Sequence, residues 1–133
     1  MESVEQDVHS GDRVVTDLTV SLGDFCKDRG DGLVNVFAPH ATAGLAIIET
    51  GAGSDQDLVD TVGRLFPRDS RYRHVHGSHG HGADHVLPAV ISPSISIPVI
   101  DGRPALGIWQ SVVLVDTNVD NPDRTVRFSF LAG

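Results

Sequence analysis

The chain has 133 residues, 40% of them hydrophobic, and 18 acidic residues against 10 Lys and Arg give it a net charge of −8. This length predicts one domain over residues 1–133, while the acidic charge and scattered cations argue against nucleic-acid binding. No apolar run approaches the ~20 residues of a membrane helix, and one cysteine with an acidic N-terminus favours a cytoplasmic location.

The first half of the chain alternates predicted strands with short helices. Strands are predicted over 13–22, 33–38 and 45–48, because these segments are rich in apolar and β-branched residues. One or two helical turns are expected over 23–29. A longer helix is predicted over 54–66, capped by Ser54 and ended by Pro67.

The second half begins with a long His/Gly-rich loop over 68–84. A short helix is expected over 85–91, although Pro88 is compatible only with a helix start. Strands follow over 94–100, 106–116 and 125–131, the first two joined by a turn at Asp101-Gly102.

These elements predict an α+β fold of mainly antiparallel β-sheets that form a small sandwich with two or three helices. Residues 111–115 are apolar at nearly every position. Both faces of that strand should therefore be covered, by a second sheet or by a neighbouring subunit.

Histidine is concentrated in one stretch, because five of the seven histidines lie between Tyr72 and His85. Imidazole is a common metal ligand and titrates near neutral pH, so the cluster favours metal binding or proton transfer. Carboxylates are near in sequence, whereas Cys26 is the only thiol. Such ligands favour Zn, Mn, Ni, Co or Mg over a cysteine-rich structural zinc site.

Three segments in order resemble the secondary thiamine-phosphate synthase family of YjbQ-type proteins. They are His40-Ala-Thr-Ala-Gly-Leu followed by Glu49, Tyr72-Arg-His74 followed by His85, and residues 94–110, which end in Gly-Ile-Trp-Gln. The resemblance implies a small α+β sandwich that assembles as a homotrimer with sites between subunits. It also implies condensation of hydroxymethylpyrimidine diphosphate with thiazole phosphate. The chain departs from the family at Ile108 and over 50–53.

The resemblance also implies a set of metal and catalytic residues. His40, His74 and His85 match the family's histidine positions and are predicted to hold a divalent ion, Zn, Mg or Mn, with one position open. His40 has a second interpretation, a histidine satisfied by backbone hydrogen bonds. Glu49 or Asp57 would orient a ligand or act as general base beside His40.

Substrate contacts are predicted on four further residues. Thr42 and Gly44 would offer a hydroxyl and a close backbone approach to an anion, and Gln110 would face the site from its strand. Arg127 would bind a phosphate or lie on an exposed charged edge.

The remaining histidines and the single tryptophan are given structural interpretations. His76, His79 and His81 are expected to be solvated or to bind metal adventitiously. The sequence leaves open whether His74 or His76 is the ligand. Trp109 is expected to pack in the core.

Three functions remain open at this level. The first is thiamine-phosphate synthesis from phosphorylated small molecules, and the second is metal-dependent hydrolysis of a phosphate ester or similar bond. The third is a non-enzymatic oligomer that binds a metal or small ligand.

Overall fold

Eight strands and three helices make up residues 1–133 of the computed structural model. The strands are β1 (Glu2–His9), β2 (Val15–Asp17), β3 (Gly32–Phe37), β4 (Ala43–Ile48), β5 (Ser94–Ile100), β6 (Arg103–Pro104), β7 (Ser111–Asp116) and β8 (Asp123–Ala132). The helices are α1 (Thr19–Cys26), α2 (Ser54–Leu65) and α3 (Gly82–Val90). All strand pairs are antiparallel, in a five-stranded sheet ordered β1-β8-β3-β5-β6 and a three-stranded sheet ordered β2-β7-β4. The predicted α+β class is confirmed.

The two sheets share the main core. In the five-stranded sheet, alternate residues of β8 and β3, such as Phe128 and Val36, point inwards and are fully buried. From the three-stranded sheet, Leu45, Val112 and Leu114 join the same cluster. The period-2 alternation of each strand therefore places one face of both sheets in a common interior.

Strand β7 is covered on both faces, as its continuous apolar run predicts. Val112 and Leu114 face the main core, whereas Val113 and Val115 pack against Val62 of α2 and residues of α3 in a second cluster. Helices α2 and α3 thus form a third layer outside the small sheet. This layer brings the start of α3 beside the carboxyl end of β7.

The N-terminal third differs from prediction. The strand predicted over 13–22 is short, because Asp17 accepts hydrogen bonds from the backbone and hydroxyl of Thr19 and the chain turns into α1. Leu18 and Leu22 are buried by this turn. Strand β1 was not predicted, and it pairs with β8 along its whole length.

The middle of the chain needs three smaller corrections. Ser54 does not cap α2, because the cap position is Gly53, which adopts a φ of +95°. Helix α3 begins at Gly82, so the loop is shorter than predicted and Pro88 lies inside the helix. The long strand predicted from 106 begins only at Ser111, after the short β6.

The turn at Asp101-Gly102 agrees with prediction, although it leads into the short β6 and not directly into the strand predicted from 106. Ile100 pairs with Arg103, leaving Asp101 and Gly102 as a two-residue turn with φ values of +50° and +71°. Positive φ at both turn positions is typical of a type I′ turn, which the Asp-Gly pair favours. No helix of the fold is long and apolar enough to cross a bilayer.

Candidate metal centre

Three histidines converge where α3 begins. One ring nitrogen from each of His74, His81 and His85 lies within 4.8 Å of the others. His81 and His85 are separated by one helical turn, so both project from the same face of α3, and their Nε2 atoms are 3.0 Å apart. Two nitrogens on a tetrahedral zinc ion lie about 3.3 Å apart, given a Zn–N distance of about 2.0 Å. The His81–His85 spacing is therefore close to that of two ligands on a shared metal ion, and the same two atoms form a hydrogen bond.

His74 supplies the strongest indication that something is bound at this place. Its Nε2 atom is buried and has no hydrogen-bond partner. A buried nitrogen left unpaired is unfavourable by about 1–3 kcal/mol. A metal ion at the cluster would satisfy it.

Asp84 orients His81 from behind. Its carboxylate is fully buried and lies 3.1 Å from His81 Nδ1, while Arg68 and the Thr117 hydroxyl donate to its other oxygen. Asp120 Oδ2 lies 3.3 Å from the same Nδ1. A proton on Nδ1 that is held by a carboxylate leaves Nε2 free as a ligand, the arrangement common behind metal-binding histidines.

The environment keeps two imidazoles neutral. Burial lowers the pKa of His74 below its ordinary value, and the neighbouring His76 and His85 rings lower it further. Burial likewise lowers the pKa of His85, with His81 adding to the effect and Asp84 opposing it. The neutral form is the one that binds metals.

Close packing at Gly82 fixes the distance between the loop and the helix. A Cβ atom at this position would lie 2.4 Å from Tyr72 Cβ and 2.8 Å from the His74 carbonyl oxygen. Only glycine allows the segment that carries His74 to approach the first turn of α3 so closely.

A small cavity of about 140 Å³ opens beside His74 and His81. Its lining includes Asp69, Tyr72 and Ser78, and none of its lining residues is Lys or Arg. The cavity is smaller than most sites for drug-sized ligands, which have volumes of about 300–1,000 Å³. It fits one small molecule beside the histidines.

His40 lies outside this cluster. Its Nε2 atom is 2.9 Å from the carbonyl oxygen of Thr125 and 3.2 Å from the Thr125 amide nitrogen. The structure therefore agrees with the second interpretation of His40, and His81, expected to be solvated, takes its place in the histidine set. His81 is only 8% exposed.

Thr42 and Gly44 have structural partners instead of a ligand. The Thr42 hydroxyl is buried and accepts a hydrogen bond from Arg124 at 2.9 Å, and Arg124 forms a buried ion pair with Asp116. A Cβ atom at Gly44 would lie 2.0 Å from the Ile91 carbonyl oxygen. Gly44 thus allows β4 to pack closely on the end of α3.

Two other predicted residues lie at the opposite end of β7. Glu49 is exposed directly after Ile48, which pairs with Ser111 at the start of β7. Gln110 is in the turn before β7, where its Oε1 accepts a hydrogen bond from the Gly107 amide at 2.8 Å. The histidines are near Thr117, at the other end of β7. At a strand rise of about 3.3 Å per residue, the two ends of β7 are about 20 Å apart.

The remaining three residues, Asp57, Arg127 and Trp109, lie on the surface of the protein. Asp57 is exposed in the first turn of α2. Arg127 is on the outer face of β8 and forms an ion pair with Glu5, so the structure agrees with the charged-edge interpretation. Trp109 is 71% exposed, so the expectation that it packs in the core is wrong.

The sequence contained an indication of the residues that were missed. His81 and His85 have the i, i+4 spacing of two ligands on one helix face, and Asp84 lies between them. Gly80 and Gly82 flank His81, and because glycine disfavours helices the segment was predicted as a loop. Arg68 contacts the site from the start of the predicted loop and Asp120 from a distant part of the sequence, and no local pattern identifies either residue.

Comparison with known proteins gives a consistent result. Residues 5–133 match the family model described as UPF0047 protein YjbQ-like. The chain is 62% identical to the UPF0047 protein Rv2556c of Mycobacterium tuberculosis over 133 residues, the whole of both chains. It is 33% identical to a UPF0047 protein of Archaeoglobus fulgidus over 102 residues, covering 77% of this chain and 78% of that one.

Solved structures agree with the fold. The crystal structure of the hypothetical protein APE1520 from Aeropyrum pernix K1 superposes with a TM-score of 0.88 over the full length of both chains, at 29% identity. A YbjQ-like protein of unknown function from Sulfolobus solfataricus P2 superposes with a TM-score of 0.87 over 99% of both chains, at 17% identity.

Proposed function

The chain belongs to the YjbQ-like UPF0047 family, and we propose that it is a metal-dependent enzyme that hydrolyses a small phosphate ester. His74, His81 and His85 would hold one divalent ion. The observation that carries the proposal is the buried, unpartnered Nε2 atom of His74 within the three-histidine cluster.

The donor set favours zinc among the ions expected from sequence. Imidazole nitrogens suit zinc, whereas magnesium prefers oxygen ligands and manganese binds nitrogen sites less tightly. When bound, the ion would supply a Lewis acid and activate water at neutral pH.

The protein's own groups would position the histidines and the substrate. Asp84 holds the His81 proton on Nδ1, and Arg68 with Thr117 holds Asp84. The adjacent cavity supplies no Lys or Arg, so a phosphate group would depend on the ion for charge compensation. One small substrate with water would fit this volume.

Metal content tests the proposal first. Untagged protein loaded with zinc and then desalted should retain one ion per chain, and His74→Ala, His81→Ala and His85→Ala should each lose it. His40→Ala and His79→Ala serve as matched controls that should retain it. Wild-type protein that binds no zinc, or zinc that survives all three changes, would overturn the proposal.

The reaction is tested separately. Zinc-loaded protein should release phosphate from members of a panel of small phosphomonoesters, and both chelation and His85→Ala should abolish that release. Stoichiometric zinc without any phosphate release would leave a metal-binding protein and exclude the hydrolase.

Thiamine-phosphate synthesis is the second candidate, and one observation favours it. Trp109 is exposed on a turn that Gln110 fixes through hydrogen bonds to Gly107, so its ring is available to stack on a planar heterocycle. Since this turn and the histidines are about 20 Å apart along β7, they would share a site only across two subunits.

The second candidate therefore requires the homotrimer that the resemblance implies. Light scattering should give three chains per particle, and incubation with both phosphorylated precursors should yield thiamine phosphate. Trp109→Ala should abolish this product while leaving zinc content unchanged. A monomer in solution would exclude the shared site.

A further inference from the structure

We propose that His76 is a fourth ligand of the metal. His76 would occupy the coordination position left open by the other three histidines and would leave it when a substrate oxygen binds. The inference rests on the proposed metal at His74, His81 and His85. The sequence offers His76 either as a solvated residue or as an alternative ligand to His74, whereas here both histidines bind the metal.

The rings of His74 and His76 face the same side of the chain. Val75 between them is 82% exposed, and the two ring centroids are 3.9 Å apart. His76 is also 6.1 Å from His81, measured between ring centroids. Its imidazole therefore borders the cluster although its residue is exposed.

The ring separations lie on both sides of the value for a four-imidazole site, and the ring nitrogens of His74, His81 and His85 alone form the group within 4.8 Å of one another. With a Zn–N distance of about 2.0 Å, ring centroids lie about 3 Å from the ion and about 5 Å from one another in a tetrahedron. The remaining separations in the cluster are 4.1 Å for His74–His85, 4.8 Å for His81–His85 and 5.4 Å for His74–His81. Five of the six possible pairs thus lie between 3.9 and 6.1 Å, around the expected value.

The loop after His76 is held against the cluster. Gly77 has a φ of +85°, and a Cβ atom there would lie 2.9 Å from the His81 ring and 2.9 Å from Asp120 Oδ2. Ser78 is held by a backbone hydrogen bond to Asp120 and by Arg68 at its hydroxyl. With Ser78 fixed, His76 stays within reach of the ion, while its exposed ring can swing outwards.

A fourth imidazole would change the character of the site. Zinc sites with four protein ligands are closed and usually structural, whereas catalytic sites keep one position for water or substrate. A displaceable His76 would give a closed site at rest and an open one when a ligand competes successfully. The exposed position of His76 suits it to that exchange better than the buried His81.

X-ray absorption spectroscopy of the zinc-loaded protein tests the inference directly. The wild type and the matched control His79→Ala should each show four imidazole ligands, and His76→Ala should show three imidazoles with one oxygen ligand. Zinc affinity, measured by chelator competition, should fall at least about tenfold in His76→Ala. Mutation of a residue that only hydrogen-bonds to a metal ligand already lowers metal affinity about 10–100-fold. The substitution is at an exposed position, and an unchanged denaturation midpoint of the metal-free protein would show that the fold is intact.

Anion binding gives a second readout. In cobalt-substituted protein, azide should bind His76→Ala more tightly than the wild type, because no imidazole has to leave first. Three imidazoles in both proteins, or equal azide affinities, would overturn the role of His76 while leaving the three-histidine site in place. Absence of bound zinc in the wild type would overturn both proposals.

Discussion

Replacing Gly82 by alanine should separate the loop from the helix and weaken the metal site. The added Cβ atom would lie 2.4 Å from Tyr72 Cβ, whereas non-bonded carbon atoms pack at about 3.5–4.0 Å. Relief of this overlap requires a movement of about 1.1–1.6 Å. Tyr72 Cβ and the His74 carbonyl are attached to the backbone, so the whole His74 segment must move.

Overpacking of this kind lowers the free energy of unfolding by about 1–3 kcal/mol. Gly63 offers a matched control, because it lies inside α2 and a Cβ atom there meets nothing within 4 Å. Gly63→Ala should raise the free energy of unfolding by up to about 1 kcal/mol, the difference in helix propensity. The same substitution should therefore have opposite signs in the two helices.

Urea denaturation of the metal-free proteins measures both changes, and chelator competition measures zinc affinity. Gly82→Ala should bind zinc at least about tenfold more weakly, since a metal site tolerates little displacement of a ligand. Equal stability of the two variants would refute the packing argument. A destabilised Gly82→Ala that retained the zinc affinity of wild type would show that Gly82 does not position His74.

Two further predictions concern charge. The metal-free protein should lose stability as the pH falls below 6.5. Burial lowers the pKa of His74 and His85 in the folded chain, so the unfolded chain takes up protons at a higher pH. Urea midpoints that stay constant between about pH 7.5 and 5.5 would contradict this. Arg124→Ala should lower the free energy of unfolding by about 3–5 kcal/mol, because it leaves the buried Asp116 carboxylate without its cation. Arg127→Ala, at an exposed ion pair, should lower it by at most about 1 kcal/mol, and similar losses in the two arginine variants would refute the argument.

The strands that pack on the core could be predicted because their own side chains alternate. Residues 94–100 form β5 as predicted, and the apolar run of 111–115 correctly indicated two covered faces. Strand β1 could not be predicted, since its sequence Glu-Ser-Val-Glu-Gln-Asp-Val-His is mostly polar. Its hydrogen bonds come from β8, more than a hundred residues away, and pairing over that distance leaves no local pattern.

The site was only partly predictable for a similar reason. The histidine-rich segment contains the cluster that the structure forms, and the predicted ligands His74 and His85 lie in it. The glycine and histidine composition around His81 predicts a solvated loop, whereas α3 begins at Gly82, which packs closely on Tyr72. Gln110 lies before β7 and the histidines lie near the other end of that strand. Sequence motifs alone do not show how far apart the strand places them.

The exposed indole of Trp109 provides an intrinsic fluorescence signal for association of the protein. Trp109 is the only tryptophan, and neighbouring Ile108 is even more exposed, at 88%. Because indole fluorescence moves to shorter wavelength when the ring leaves water, the emission maximum would report whether another surface covers this turn. A simple dilution series could therefore follow association of the protein without any attached dye.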